Sequence, residues 1–307
     1  METVAFKNKD LDVVADLYLP AGFDETQKYA AIVSAHPIGS CKEQTSGNIY
    51  GAKLAEAGYV VLAFDATHQG ASGGEPRWIE DPGLRVEDFR CAVDYLVTLD
   101  YVNEDRIGVL GICGGGGYAV NAAMTDRRFK AIGTVTGVNY GRMMREGDLS
   151  GDVAIKTLDA VAKQRTSEAR GSAPRVDDAL PDSPEKANEL GITALDVLEA
   201  TKYYRTRRGQ QPNGMTKSLF SHMGPAIGWD AYHLAEQLLT QPLQIVVGGI
   251  PGEFGAYRDG FDLLNRARSQ KKDIVVVPDT SHYDLYWKPE ATAQALGALI
   301  PFYGEYL

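Results

Sequence analysis

Apolar and polar positions follow two different rhythms along this chain. Residues 3–7 and 12–19 (Asp-Val-Val-Ala-Asp-Leu-Tyr-Leu) alternate, as strands buried on one face do, and Pro20 and Gly22 close them. From Ala30 the alternation stops. Residues 30–35 and 59–64 are continuous apolar runs, which predicts strands covered on both faces, as in a parallel sheet flanked by helices. Between them, residues 46–56 carry apolar side chains at helical spacing and end at Gly58, completing a βαβ unit. The same grammar continues with a helix over 85–99 (Val86, Phe89, Ala92, Val93, Leu96), a strand at 107–110, a helix over 118–124 and a strand over 131–138. It resumes with a helix near 229–239, strands at 243–248 and 274–277, and helices over 261–269 and 290–299. The pattern predicts a doubly wound, mostly parallel α/β sheet with an antiparallel start.

Regularity breaks between 140 and 230, which is polar and reads as mostly helical, with turns at 171–174 and 180–184. The expected organisation is therefore a core of residues 1–139 and 231–307, with 140–230 as a helical cap covering one end of the sheet. Tyr203, Tyr204, His222, Trp229 and Tyr232 in or beside it suit a pocket lining, the interior of the cap or a dimer contact alike.

In sheets of this kind sites form beyond the carboxyl ends of the strands. The stretch from Arg106 to Ala119 is the most informative of these ends. A short apolar strand meets a glycine-rich corner and runs straight into a helix, and Gly111-Ile-Cys113-Gly-Gly115 has the spacing of a nucleophile elbow with cysteine at its tip. The nucleophile assigned on this spacing is Cys113. A following helix N-terminus and a nearby imidazolium are expected to lower its pKa. Two later strand ends complete a set in the order nucleophile, acid, histidine. His282 lies just past the strand at 274–277, and the stretch from Gly248 to Asp259 offers Glu253 as the nearer acid and Asp259 as the second. For the developing oxyanion, the backbone N–H of Gly114 is one donor and Ile38 the other, with Gly39 next, because Pro37 has no N–H. His36 reads as a brace for that loop and His68 as part of a polar turn.

The corner fails the spacing of a dinucleotide fingerprint, since position 119 is alanine, and has no Lys-Ser or Lys-Thr for a phosphate loop. A net charge of -10 argues against a nucleic-acid partner. Three scattered cysteines suit neither a disulfide framework nor a zinc site. No metal and no cofactor is expected. The absence of an apolar leader or a membrane-length run sets the expectation of a cytoplasmic protein with no membrane partner. A homodimer is compatible with all of this.

Several stretches together resemble the dienelactone-hydrolase-related α/β-hydrolases, in particular bacterial hydrolases and their fungal relatives of polyketide pathways. They are residues 36–44 (His-Pro-Ile-Gly-Ser-Cys-Lys-Glu-Gln), 63–66, 69–70 and 74–77, 80–82 and 85–88, 106–113, 125–128 and 280–286 (Thr-Ser-His-Tyr-Asp-Leu-Tyr). The resemblance implies the α/β-hydrolase fold, a cysteine nucleophile at Cys113 and a histidine at His282; it leaves the acid open, because Gly252-Glu253 stands near the place of an aspartate. The expected function is hydrolysis of a small-molecule carboxylic ester, lactone or thioester through an acyl-enzyme on Cys113. An acyltransferase or C–C bond hydrolase of polyketide-type metabolism would share the same residues, and an inactive hydrolase fold used as a binding module is the reading from another class.

Overall fold

The computed structural model describes residues 1–146 and 151–307. The chain opens with β1 (Glu2–Asn8) and β2 (Leu11–Tyr18), an antiparallel pair, and then enters β3 (Tyr29–Ala35), β4 (Val60–Phe64), β5 (Val102–Ile112) and β6 (Phe129–Val135). A short antiparallel ribbon, β7 (Val176–Asp178) with β8 (Lys217–Leu219), lies in the stretch from 140 to 230, and β9 (Leu243–Gly248) and β10 (Lys272–Val277) follow. The main sheet has eight strands in the order β1-β2-β4-β3-β5-β6-β9-β10, parallel from β4 to β10. This is the α/β-hydrolase fold.

The non-alternating runs are buried as their composition requires. Along β3 and β5 successive residues face opposite layers: Val33 and Val109 join Phe89, Val93 and Tyr118 on one side, and Ile32 and Leu110 join Tyr50, Leu54 and Leu299 on the other. The first layer contains the helix Pro82–Leu96, started by an Asp81 side chain that accepts the Leu84 N–H at 3.0 Å and by a proline at the first helical position. The second contains the closing helix Pro289–Tyr306, whose Tyr303 hydroxyl donates to the Val109 carbonyl at 2.7 Å.

Register decides where chemistry can occur. Ala35 pairs with Phe64 and with Gly111, Ile112 with Val135, Val135 with Val246, and Gly248 with Val277, so these strands finish at one edge. His36, Cys113, Thr136 and the loops after β9 and β10 all emerge there.

One expectation gains a detail and one needs correction. The stretch from 140 to 230 holds the helices Tyr140–Glu146, Gly151–Ala169, Pro184–Glu189 and Leu195–Tyr204, and the β7–β8 ribbon beside them; its residues 147–150 lie outside the described residues. The helix expected over 229–239 shrinks to Ala235–Leu238. Asp230 takes the Tyr232 N–H with its side chain, and Leu234 adopts a left-handed φ of +66°, so the chain turns before it coils.

Candidate active site

The corner after β5 puts Cys113 at φ +54°, ψ −126°, a conformation that costs a non-glycine residue on the order of 1–3 kcal/mol. Its neighbours explain how the cost is borne. A Cβ on Gly111 would overlap the backbone of Gly115 and Gly116, and one on Gly115 would press into the Ala35 and His36 carbonyls, so only glycines let the elbow close against β3. Gly116 and Val138 both donate to the Cys113 carbonyl, at 2.8 Å each.

The Cys113 thiol is approached by the Tyr286 hydroxyl and by the backbone N–H groups of Gly114 and Ile38. The structure thus brings Cys113, Gly114 and Ile38 together around one sulfur. Ile38 is held by a buried ionic brace. His36 donates from Nδ1 to the Pro37 carbonyl at 2.6 Å and accepts the Ala66 N–H at Nε2, while Arg85 reaches the His36 carbonyl at 3.1 Å and pairs with Glu80 at 3.2 Å. Burial, and then the Arg85 charge, push the His36 pKa far down, so it stays neutral. His68 likewise binds the Pro76 carbonyl at 2.9 Å and serves its own turn.

His282 is 4% exposed, and its ring sits among Phe254, Tyr283 and Tyr286. Its Nε2 lies 3.1 Å from the Tyr286 hydroxyl, which therefore stands between imidazole and thiol. Its Nδ1 lies 2.5 Å from Oγ1 of Thr136, a β-branched residue at φ +43° directly after β6.

Neither sequence-derived acid meets that nitrogen. Glu253 accepts the backbone N–H groups of Leu195 and Asp196 at 3.1 and 3.0 Å, capping the helix Leu195–Tyr204. Burial opposes its ionisation, but these N–H groups hold its pKa below the usual value. Asp259 is bound by Arg142 through Nε at 2.8 Å and Nη2 at 2.6 Å, and it accepts the Asn139 N–H. Removing one member of a buried pair strands the other. Arg142→Met is expected to lower unfolding free energy by about 3 kcal/mol or more, measured by urea denaturation.

The expectation of a lowered thiol pKa is also overturned. Burial raises Cys113 to about 11, outweighing the Tyr286 hydroxyl and the Gly114 N–H, and burial drops His282 to about 3. The resting pair is thiol and neutral imidazole. Because the folded-state pKa lies above the assay range, iodoacetamide labelling of Cys113 should climb close to tenfold per pH unit from pH 6 to 9, followed by peptide mapping. A plateau reached near neutrality would mean a preformed ion pair.

Above the thiol is a cavity of about 380 Å³. Its floor is Pro37 to Gly39 with Cys113, and its walls include Tyr140, Met143, Leu180, Val197, Tyr204, Phe220, Met223, Phe254 and Tyr283. Of the five residues singled out in or beside the insertion, only Tyr204 lines it. Tyr203 packs behind Tyr204, Trp229 stacks on Tyr118, Tyr232 is interior, and His222 meets Ser221. The methionines, Tyr283 and Tyr286 carried no spacing signal for the pocket, although Tyr283 and Tyr286 fall in the motif around His282. The charged wall residues are partnered: Asp178 by Arg205, Asp177 by Arg175, and Lys217 lies over the Trp78 ring. Among the described residues no cluster of side chains could hold a metal ion, and no helix is long and apolar enough to cross a membrane.

The family described as X-Pro dipeptidyl-peptidase (S15 family) matches residues 10–224. The chain belongs to this family. As an S15-family member it is 42% identical over 303 residues to the uncharacterized protein YcjY of Escherichia coli K12, covering 98% of this chain and 96% of that one. The crystal structure of the hypothetical protein PA2218 from Pseudomonas aeruginosa superimposes with a TM-score of 0.90 at 30% identity, over 100% of this chain and 93% of that one. The thiohydrolase aneE of Aspergillus aculeatus is 33% identical over 231 residues, 71% of this chain and 68% of that protein. The S15 match takes in the His36 loop and the elbow and ends before His282.

Proposed function

We propose that this S15-family protein hydrolyses a neutral, largely apolar ester, lactone or thioester through an acyl-enzyme on Cys113. The observation that carries the reading is the thiol's position, on a strained elbow at the floor of an apolar cavity, with the N–H groups of Gly114 and Ile38 converging on the sulfur. As Sγ attacks the acyl carbon, its proton passes to the Tyr286 oxygen and the Tyr286 proton passes to Nε2 of His282. The carbonyl oxygen gathers negative charge between the Ile38 and Gly114 N–H groups, and collapse expels the alcohol or thiol, protonated from His282 by the reverse relay. Water then enters on the same base and releases the acid.

The pocket supports an uncharged acyl group. Both wall carboxylates already hold arginines, which leaves neither free to receive the α-ammonium of a peptide substrate. A relative named as a thiohydrolase favours thioesters among the possible leaving groups. Within the family we infer the cysteine-dependent chemistry of the dienelactone-hydrolase relatives, and residues 140–230 as the cap that selects the acyl group.

Intact-mass analysis after exposure to aryl esters and acyl thioesters tests this. The expected result is a single acyl adduct in the wild type, lost in Cys113→Ala. In His282→Ala neither adduct nor turnover should build up on the same timescale. An adduct released faster by added alcohols or amines than by water would assign acyl transfer instead. No adduct and no turnover across a broad panel would make the fold a binding module.

A further inference from the structure

We propose that Asp196, carried in by the insertion rather than by the sheet, is the acid that positions His282, acting through Thr136. The inference rests on the reading of Cys113 and His282 as the reacting pair. Among the described residues the hydrogen-bond partner of His282 Nδ1 is a hydroxyl, Thr136 Oγ1 at 2.5 Å. A hydroxyl can fix a tautomer, but it brings no charge to stabilise an imidazolium.

Asp196 supplies that charge across a void it shares with Thr136 and His282. It is 1% exposed, and its Oδ2 accepts the Phe254 N–H at 2.6 Å, but its Oδ1 has no hydrogen-bond partner among the described residues. A buried carboxylate oxygen left unpaired is costly and marks a place where something binds or works. Asp196, Thr136 and His282 border one small void of about 10 Å³, near the least that holds a single water. A single water in that void would link Oδ1 to the Thr136 hydroxyl and the imidazole edge.

The loop after β9 packs directly against this carboxylate. The order of elements places an acid in that loop, and at its middle stands Gly252. A Cβ on Gly252 would overlap the Asp196 carboxylate, so the carboxylate occupies the space a side chain at 252 would enter. Glu253 plays a different part, because by accepting the Leu195 and Asp196 N–H groups it holds the helix end that bears Asp196. When Nε2 takes a proton, the Nδ1 proton donates to Thr136 Oγ1 and the Thr136 proton turns to the water. Burial, with the Glu253 and Glu199 charges adding to it, pushes the Asp196 carboxyl up to about 6, so above that pH it is ionised and serves as the imidazolium's counter-charge, with no proton transferred to it. Asp196 is thus a positioning residue.

The test measures p-nitrophenyl butyrate turnover against pH for wild type, Asp196→Asn, Asp196→Ala, Asp196→Ala with Gly252→Asp, and Cys113→Ala, each with a thermal melt. Loss of the acid should cut kcat by on the order of 10²- to 10⁴-fold while KM moves only a few-fold. Without the carboxylate the imidazolium is less stable, so the acid limb of the kcat/KM profile should move to lower pH. The double variant should recover at least about tenfold over Asp196→Ala and bring the limb back. Wild-type kcat in Asp196→Asn, an unmoved limb, or a double variant no better than Asp196→Ala overturns the proposal. If those hold while Cys113→Ala is inactive, the reading of the nucleophile stands alone; turnover undiminished in Cys113→Ala would remove that reading itself.

Discussion

Cys113→Ala should lower acyl turnover by on the order of 10⁵-fold, with an unchanged melting temperature, when the variant is assayed against aryl esters. The magnitude follows from the role. Without Sγ no covalent intermediate forms, and what remains is binding plus oxyanion stabilisation of attack by water, which is worth only about 10³–10⁴ over the uncatalysed reaction. Fold stability should be indifferent, because alanine removes one sulfur from an elbow whose geometry is set by the glycines packed under it. Cys113→Ser is the instructive companion. It keeps the geometry but offers an oxygen, far harder to deprotonate than a thiol, to a histidine already pushed down to about 3 by burial. It should be nearly as slow as the alanine variant.

Gly114→Ala should cost on the order of 10²–10³ in kcat while leaving KM within a few-fold. A Cβ at this position would overlap Cγ1 and Cδ1 of Ile38, so the methyl group pushes apart the two segments whose N–H groups converge on the sulfur. The Ile38 loop has little freedom to yield. Its N-terminal side is tied through the His36 carbonyl to Arg85, and on its other side the Gly39 carbonyl accepts the Thr216 N–H at 2.9 Å. Donors made useful by preorganisation lose most of their value when displaced by an ångström. Adding Ile38→Ala makes room for the methyl group and should return a large part of the rate, measured by steady-state kinetics on the same ester. Recovery would locate the defect in the contact; no recovery would locate it in the helix end.

What could be read from sequence follows what is local in this fold. The strands announced themselves because burial on both faces leaves unbroken apolar runs, and the elbow because a backbone at φ +54° with β3 pressed against it demands glycines at fixed spacing. His282 was legible as the histidine past a late strand. The partner of its far nitrogen was not. Glu253 occupies the loop where the order of elements places an acid, yet its carboxylate is spent on the Leu195 and Asp196 N–H groups, a contact between segments far apart in the chain. Asp259 is similarly absorbed by Arg142. Asp196 sits in a polar stretch with no distinguishing pattern, and only packing against Gly252 reveals where it points. The thiol's pKa escapes a reading from sequence for a related reason: helix termini and imidazole are visible in sequence, whereas the depth of burial that outweighs them is a tertiary property.

The most direct test of the account is a crystal structure of the protein after reaction with an aryl ester under conditions that trap the adduct. The account predicts electron density continuous with Cys113 Sγ. The acyl chain should lie in the cavity beside Tyr204 and Phe254, and the carbonyl oxygen should stand about 3 Å from the Ile38 and Gly114 nitrogens. An acyl group on another residue, or a carbonyl turned away from those two nitrogens, would contradict it.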